Sequence, residues 1–203
     1  IARRQRQMCI RDRYTGKPVT QNIVIKNGNV VLDEGTDYTV SYSANTKVGT
    51  VEVTITGTGS YIGEIKSSFD ILPAKQQIQK LETRFKGFFI DWAQKGSATG
   101  YEIEYSTNAD FKDSTVKKLT ANKPDTLTIS GLTAGNKYYV RVRSYTNVGE
   151  KVYYGAWSDS KNVTAAKYDI TKSAISGIST KTYTGKNITQ SVKVKYNGKT
   201  LKS

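Results

Sequence analysis

Apolar and polar residues alternate along much of the chain with a period of two. Runs of this kind are Tyr38-x-Val40-x-Tyr42, Val51-x-Val53-x-Ile55, Phe88-x-Ile90-x-Trp92, Tyr101-x-Ile103-x-Tyr105 and Tyr138-x-Val140-x-Val142. Because successive side chains of a strand point to opposite faces of its sheet, this pattern predicts strands with one buried and one solvated face. No segment has the spacing of an amphipathic helix, so the sequence predicts an all-β protein.

Turn-forming residues separate these runs. Asn27-Gly28 predicts a hairpin in the first part of the chain, because both residues tolerate a positive φ. Between residues 74 and 166 the turns fall at Lys95-Gly96-Ser97, Asn108-Ala109-Asp110, Lys123-Pro124-Asp125 and Ala134-Gly135-Asn136. Roughly seven short strands at this spacing predict a β-sandwich over residues 74–166.

One motif occurs twice. Tyr14-Thr-Gly-Lys-Pro-Val-Thr-Gln21 returns 169 residues later as Tyr183-Thr-Gly-Lys-Asn-Ile-Thr-Gln190. The repeat predicts that the chain is a piece of a longer array of small β-modules, an architecture more typical of scaffolds than of catalysts. It divides the chain into a module at 14–72, the sandwich at 74–166, and a linker with the start of a second repeat at 167–203. That second copy lacks most of its strands, so we expect it to be poorly ordered or to pair its edges opportunistically, with a first strand near Ile175–Ile178.

Residues 1–13 differ from the rest of the chain. They contain five arginines, no lysine, and the only cysteine and methionine, Cys9 and Met8. The run Met8-Cys-Ile-Arg-Asp-Arg13 resembles a translated sequencing adapter, and the alternative is a native basic linker. We therefore exclude these thirteen residues from the fold prediction.

Composition restricts the chemistry. Outside residues 1–13 the chain has no His, Cys or Met, so thiol nucleophiles, histidine bases, soft metal ligands and disulfides are excluded. The acidic group Asp33, Glu34 and Asp37 lacks the ligand spacing of a calcium loop and predicts a polar turn. We therefore expect no catalytic residue, metal or cofactor.

The charge is positive but uneven. The formal net charge is +14, and it is −2 over residues 14–72, +5 over 73–166 and +7 over 167–203. Single lysines scattered on alternate strand positions indicate a solvated basic surface rather than a continuous basic stripe that binds nucleic acid. The alternative is that this surface binds an anionic cell-wall polymer. No apolar run is long enough for a membrane helix.

Two family resemblances follow from longer motifs. The string Tyr14-Thr-Gly-Lys, Glu34-Gly-Thr-Asp-Tyr38, Gly57-Thr-Gly-Ser-Tyr61 and Phe69-Asp-Ile-Leu72 resembles the small Ig-like MBG repeats of bacterial surface proteins. Trp92, Gly100-Tyr-Glu-Ile-Glu-Tyr105, Ile129-x-Gly-Leu132, Tyr138-Tyr-Val-Arg-Val-Arg143 and Ala156-Trp-Ser158 together resemble a fibronectin type III domain. The second resemblance implies that Trp92 is the core tryptophan and that the Tyr138 hydroxyl bonds back to the preceding loop. Tyr101 is expected to be structural, and Trp157 is expected to cap one end of the sandwich or, alternatively, to contact a ligand.

A candidate ligand patch lies on the outward positions of the strand at 138–145 and in the loop after it. Its members are Tyr139, Arg141, Arg143, Tyr145, Tyr153 and Tyr154. Exposed tyrosine and arginine suit recognition of sugars or proteins. The fibronectin type III resemblance implies that the strand at 101–105 neighbours this one, and Glu102 and Glu104 point outward from it. We therefore expect surface ion pairs with the arginines rather than a catalytic carboxylate pair.

These features predict a non-catalytic part of a secreted or cell-surface bacterial protein. We expect monomeric modules that act as spacers and contribute adhesion to a cell-wall polymer, polysaccharide or protein. The alternative is an accessory region of a secreted glycoside hydrolase or peptidase, since such enzymes carry similar modules. Nucleic-acid binding and membrane insertion are not expected.

Overall fold

The computed structural model describes residues 11–93, 96–123, 125–196 and 198–201. This part of the chain consists of strands and loops, with one short 3-10 turn at Ile170–Lys172. The prediction of an all-β protein that contains a β-sandwich is confirmed. Three groups of strands follow one another along the chain.

The first group forms a four-stranded sheet with a hairpin beside it. The sheet has the order β1-β6-β5-β4, and β2 pairs only with β3. The bounds are Arg11–Arg13 for β1, Lys26–Asn27 for β2, Val30–Val31 for β3, Tyr38–Tyr42 for β4, Gly49–Gly57 for β5 and Glu64–Leu72 for β6. Val51, Val53 and Ile55 on alternate positions of β5 are buried, as the pattern predicted.

Strand β1 corrects the sequence analysis. The exclusion of residues 1–13 from the fold was wrong for Arg11–Arg13, which pair in parallel with Asp70–Leu72 of β6. The physical reason is that a sheet edge offers unpaired backbone groups to any extended segment within reach, whatever its side chains. Residues 1–10 lie outside the described part of the chain.

The second group is a two-layered sandwich. One layer has the order β11-β8-β7, and the other has the order β10-β9-β12-β13 with β14 also paired to β12. The bounds are Ile78–Arg84 for β7, Gly87–Trp92 for β8, Gly100–Ser106 for β9, Thr115–Leu119 for β10, Thr126–Ile129 for β11, Lys137–Val148 for β12, Lys151–Tyr154 for β13 and Lys161–Thr164 for β14. Inward side chains of β8, β9 and β12 from the two layers meet in one core.

The third group repeats part of the first. Strands β15 (Ala174–Ser176), β16 (Lys193–Tyr196) and β17 (Lys199–Thr200) form a small antiparallel sheet in that order. In the β16–β17 hairpin Lys195 pairs with Thr200. The residues 169 positions earlier, Lys26 and Val31, pair in the same way in the β2–β3 hairpin. The sequence repeat is therefore also a repeat of local structure. Strand β15 lies near the position expected for the first strand of the second copy.

The first module contacts the sandwich through side chains of β5, β6 and β13. Tyr153 Oη and Thr50 Oγ1 share a hydrogen bond of 2.7 Å, and Lys151 Nζ lies 3.3 Å from Asp70 Oδ2. In the linker between the modules, Ser144 Oγ donates to the Ala74 carbonyl at 3.2 Å. We call Thr50, Asp70, Lys151 and Tyr153 the joint.

Candidate functional site

The two arginines of the predicted patch lie on the outward face of β12, beside two carboxylates of β9. In the register of these strands Arg141 stands opposite Glu104 and Arg143 opposite Glu102. Arg141 Nε donates to Glu104 Oε2 at 2.6 Å, while Arg143 Nε and Nη2 both donate to Glu102 Oε2 at 2.9 and 2.7 Å. The predicted cross-strand ion pairs are confirmed.

The carboxylates themselves are less accessible than the sequence indicated. Glu102 and Glu104 are each only 7% exposed, so the expectation of an open strand surface was wrong. The arginine side chains cover them, and Ser114 Oγ donates to the second oxygen of Glu104 at 2.5 Å. Both carboxylates are paired with arginines of the same sheet face and are covered by them, so they do not line a cleft that a sugar could enter, and the arrangement does not suit glycosidase chemistry.

Aromatic rings and guanidinium groups alternate along this face. Arg141 lies 3.9 Å from the centroid of the Phe111 ring and 4.7 Å from that of Trp157. Arg143 lies 4.3 Å from the Trp157 centroid and 4.2 Å from the Tyr154 centroid. We call Phe111, Arg141, Trp157, Arg143 and Tyr154 the stack. Trp157 therefore does not cap an end of the sandwich: it lies half-buried on the outer face of the larger layer, where two cations hold it.

Tyr145 also departs from the predicted patch. It alternates outward with Arg141 and Arg143, but it is only 2% exposed. Lys118 Nζ from β10 lies 4.4 Å above its ring, and its hydroxyl donates to the Leu119 carbonyl at 3.1 Å. The expectation of exposure was wrong because Tyr145 lies opposite Gly100 of β9, and residues of β10, the strand beyond β9, reach it and cover its outward face.

The two other tyrosines of the predicted patch, Tyr139 and Tyr153, lie outside the stack. Tyr153 is 5% exposed and belongs to the joint, so the expectation that it meets a ligand from solvent was wrong. Tyr139 is half-buried, with Lys137 Nζ 6.0 Å from its ring centroid. The six predicted residues thus form no single open surface.

The residues assigned to structure lie in the core of the sandwich. Trp92 and Tyr101 are fully buried, with ring centroids 5.3 Å apart. The Tyr138 hydroxyl accepts a hydrogen bond from the backbone N–H of Thr133 at 3.1 Å, which is the loop contact that the resemblance implied. Residues 84–164 match the family described as fibronectin type III domain. The chain contains a fibronectin type III domain.

Two solved structures align with a larger share of the chain than residues 84–164. The FN1–FN3 domains of chicken CNTN1 share 14% identity, with a TM-score of 0.42 over 60% of this chain and 44% of that one. A beta-1,2-glucanase from Parabacteroides distasonis shares 16% identity, with a TM-score of 0.38 over 59% of this chain and 18% of that one. The chain therefore spans less than half of either structure. No curated protein sequence matches it.

Two members of the fibronectin type III domain's outer face escaped the sequence analysis. Phe111 follows a turn and has a positive φ of 62°, and Lys118 lies opposite Glu102 in the β9–β10 register. Phe111 stands outside any alternating run, so periodicity carries no sign of it. The pairing of Lys118 with Glu102 follows from the register between β9 and β10, which depends on the length of the turn between them.

Outside the fibronectin type III domain, the acidic group of the first module forms a turn. The backbone N–H of Asp33 donates to Asp37 Oδ2 at 3.0 Å. Burial, and then the charges of Glu34 and Asp33, raise the pKa of the Tyr38 hydroxyl above its usual value of 10.0. Among the described residues, no three His, Cys, Asp or Glu side chains are grouped to hold a metal ion. No helix in that part of the chain is long and apolar enough to cross a membrane.

Proposed function

We propose that this chain is a non-catalytic spacer in a secreted or cell-surface bacterial protein, and that it holds neighbouring domains at a fixed distance. The observation that carries the proposal is the joint. Its contacts connect side chains of the first module to the β12–β13 hairpin of the fibronectin type III domain, so the two modules are not linked by backbone alone. A spacer with a defined direction requires this kind of contact.

The charged residues of the joint attract each other at neutral pH. The hydrogen bond with Tyr153, and then that with Asp70, raise the pKa of the Lys151 ammonium above its usual value of 10.5. Lys151 is therefore cationic at neutral pH and attracts Asp70. The pair is exposed, so each contact is weak alone, and the hydrogen bond between Tyr153 and Thr50 adds a less exposed contact.

The stack also favours a spacer over an adhesin. The guanidinium groups of Arg141 and Arg143 are already paired with carboxylates and covered by rings, so a ligand would have to displace contacts within the domain. A recognition surface usually presents polar groups that a partner can satisfy without such a loss. The Arg–aromatic face is therefore assigned to stability.

Nitrogen-15 relaxation of the full chain tests the proposal. We expect residues of β5 and of β12 to report one common tumbling time, and Tyr153→Phe combined with Lys151→Met to separate the two values. Tyr139→Phe is the matched control on the same domain and should leave them equal. Independent tumbling of the modules in the unmodified chain would contradict a fixed spacer. A pull-down with insoluble cell wall tests the alternative. Binding of the unmodified chain that is lost in Arg143→Gln would favour adhesion over a spacer.

A further inference from the structure

A cleft of about 260 Å³ opens in the fibronectin type III domain where β9 ends, and no residue of the stack or the joint lines it. Its sides are the segment after β9 and the connection between β11 and β12. Thr115 of β10 stands opposite Tyr105 of β9 in the register, and the Tyr138 ring centroid lies 6.4 Å from that of Tyr105. The volume lies just below the range of about 300–1,000 Å³ that is usual for ligand pockets, so the cleft fits a single ring rather than an extended ligand.

The tyrosine hydroxyls of the cleft have hydrogen-bonding capacity that the fold does not use. Tyr105 is only 8% exposed, and its hydroxyl makes no hydrogen bond with any described residue. The hydroxyl is not among the polar atoms sealed in the core, so it faces the cleft. The Tyr138 hydroxyl accepts from the Thr133 N–H at 3.1 Å, and no described residue accepts its own proton. Phenylalanine would pack as well at position 105, so the described contacts give the Tyr105 hydroxyl no role in folding.

The sides of the cleft carry hydroxyl groups and one carboxylate. The hydroxyls are those of Ser106, Thr107, Thr115 and Thr133, and the carboxylate is that of Asp113. Although the chain has 31 lysines and arginines, none of them is among the described residues that line the cleft. An anionic ligand would therefore meet a carboxylate and no cation. A neutral sugar fits this lining, because each of its hydroxyls both donates and accepts a hydrogen bond.

The loop that carries Asp113 is held in a costly conformation. Phe111 and Asp113 have positive φ angles of 62° and 52°, a region that bulky side chains rarely adopt. Ser106 Oγ and Asn108 Nδ2 both donate to the Lys112 carbonyl, at 2.8 and 3.2 Å, and these bonds fix the loop. Strain of this kind is concentrated at functional sites, where the surrounding structure maintains it. Here it holds the Asp113 carboxylate at the cleft, without a partner among the described residues.

We propose that this cleft binds one neutral sugar residue of a glycan, with the Asp113 carboxylate and the Tyr105 hydroxyl as its main hydrogen-bonding groups. A Cβ on Gly131 would meet no atom within 4 Å, so the ligand has room to approach the backbone on that side. The site differs from the patch predicted from the sequence, which lies on the outward face of β12 and β13. It goes beyond the spacer function and does not depend on it, because none of its residues belongs to the joint.

Titration of the full nitrogen-15-labelled chain with cellotriose, chitotriose and mannotriose tests the site through amide chemical shifts. We expect at least one of these neutral trisaccharides to produce saturable shifts at Thr107, Gly131 and Thr133. Asp113→Asn should weaken that binding about tenfold, because hydrogen bonds to a charged group are the stronger ones. Tyr105→Phe removes a single hydroxyl and should weaken binding about threefold, with an unchanged melting temperature.

Asp110→Asn is the matched control, because it removes one negative charge from the same loop without altering the cleft. Asp110 Oδ1 accepts from the Lys112 N–H at 3.1 Å, and an asparagine oxygen keeps that bond. We expect this variant to bind the sugar like the unmodified chain. Equal weakening in Asp110→Asn, shifts confined to the stack, or no saturable shift with any of the trisaccharides would refute the proposal. Stronger binding of n-butylammonium than of the sugars would also overturn it, by showing that the carboxylate selects a cation.

Discussion

Replacement of Trp157 by leucine tests whether the stack stabilises the fibronectin type III domain. Leucine keeps an apolar body over the sheet but removes the ring between Arg141 and Arg143. Each cation–π contact of a partly exposed ring contributes about 0.5–1 kcal/mol, so the loss of two should cost about 1–2 kcal/mol. For a domain of about 80 residues this lowers the melting temperature by about 5–15 °C.

Urea unfolding measures this cost directly. The chain has two tryptophans, so Trp157→Leu leaves Trp92 as its single tryptophan, and the fluorescence of that fully buried ring, excited selectively near the red edge, reports unfolding of the domain core. Trp157→Phe is the matched control, because it keeps a π face between the two arginines, and it should cost less than half as much. Equal losses in the two variants would show that ring–cation contact contributes nothing, and Trp157 would then be free to serve a ligand.

Three other predictions concern neighbouring contacts. Glu102→Gln leaves Arg143 without its carboxylate, and we expect a loss of about 1.5–3 kcal/mol in urea unfolding; an unchanged midpoint would show that the pair is energetically silent. A Cβ on Gly100 would lie 2.0 Å from a backbone carbonyl, so Gly100→Ala should cost about 3 kcal/mol or more. Gly96→Ala, whose Cβ meets open space, is its control, and similar melting temperatures for both would contradict the packing. Because its pKa is raised in the folded state, Lys151 stabilises the joint fully below its usual pKa of 10.5 and loses this contribution as pH rises further. The difference in melting temperature between the unmodified chain and Lys151→Met should therefore shrink between pH 10 and 11.5, and a constant difference would refute the assignment.

The alternation of apolar and polar residues was enough to predict which side chains of a strand point into the core and which point outward. In β12, Val140 and Val142 point into the core while Arg141 and Arg143 point outward, because a strand has no other way to place neighbouring side chains. The same rule placed Glu102 and Glu104 on the outward face of β9, and the pairing of β9 with β12 then brought the opposite charges together. The direction of these side chains is a local property of each strand, whereas the pairing of β9 with β12 joins distant parts of the sequence and was expected only from the fibronectin type III resemblance.

Exposure could not be predicted in the same way, since it depends on what other elements place over an outward position. Tyr145 points outward as expected, yet Lys118 of β10 covers it. Tyr153 is buried because another module packs against β13, and no pattern within the fibronectin type III domain contains that information. The outward direction of Arg141 and Arg143 was therefore predicted correctly, but the accessibility of Tyr145 and Tyr153 was predicted wrongly. Tyr153 and Tyr154 were also expected in a loop and lie instead on strand β13, which pairs with β12.

The outer face of the fibronectin type III domain explains how polar residues can stabilise a sandwich that has no disulfide. The stack and its ion pairs involve β9 through Glu102 and Glu104, β12 through both arginines, β13 through Tyr154, and the segment before β14 through Trp157. These side chains therefore connect β9, β13 and the segment before β14 to the central β12. A force that pulls an outer strand away must expose a carboxylate or a ring as well as break backbone hydrogen bonds. Opening of one strand therefore breaks side-chain contacts together with the backbone hydrogen bonds, and the face adds to the cooperativity of the sandwich as well as to its stability.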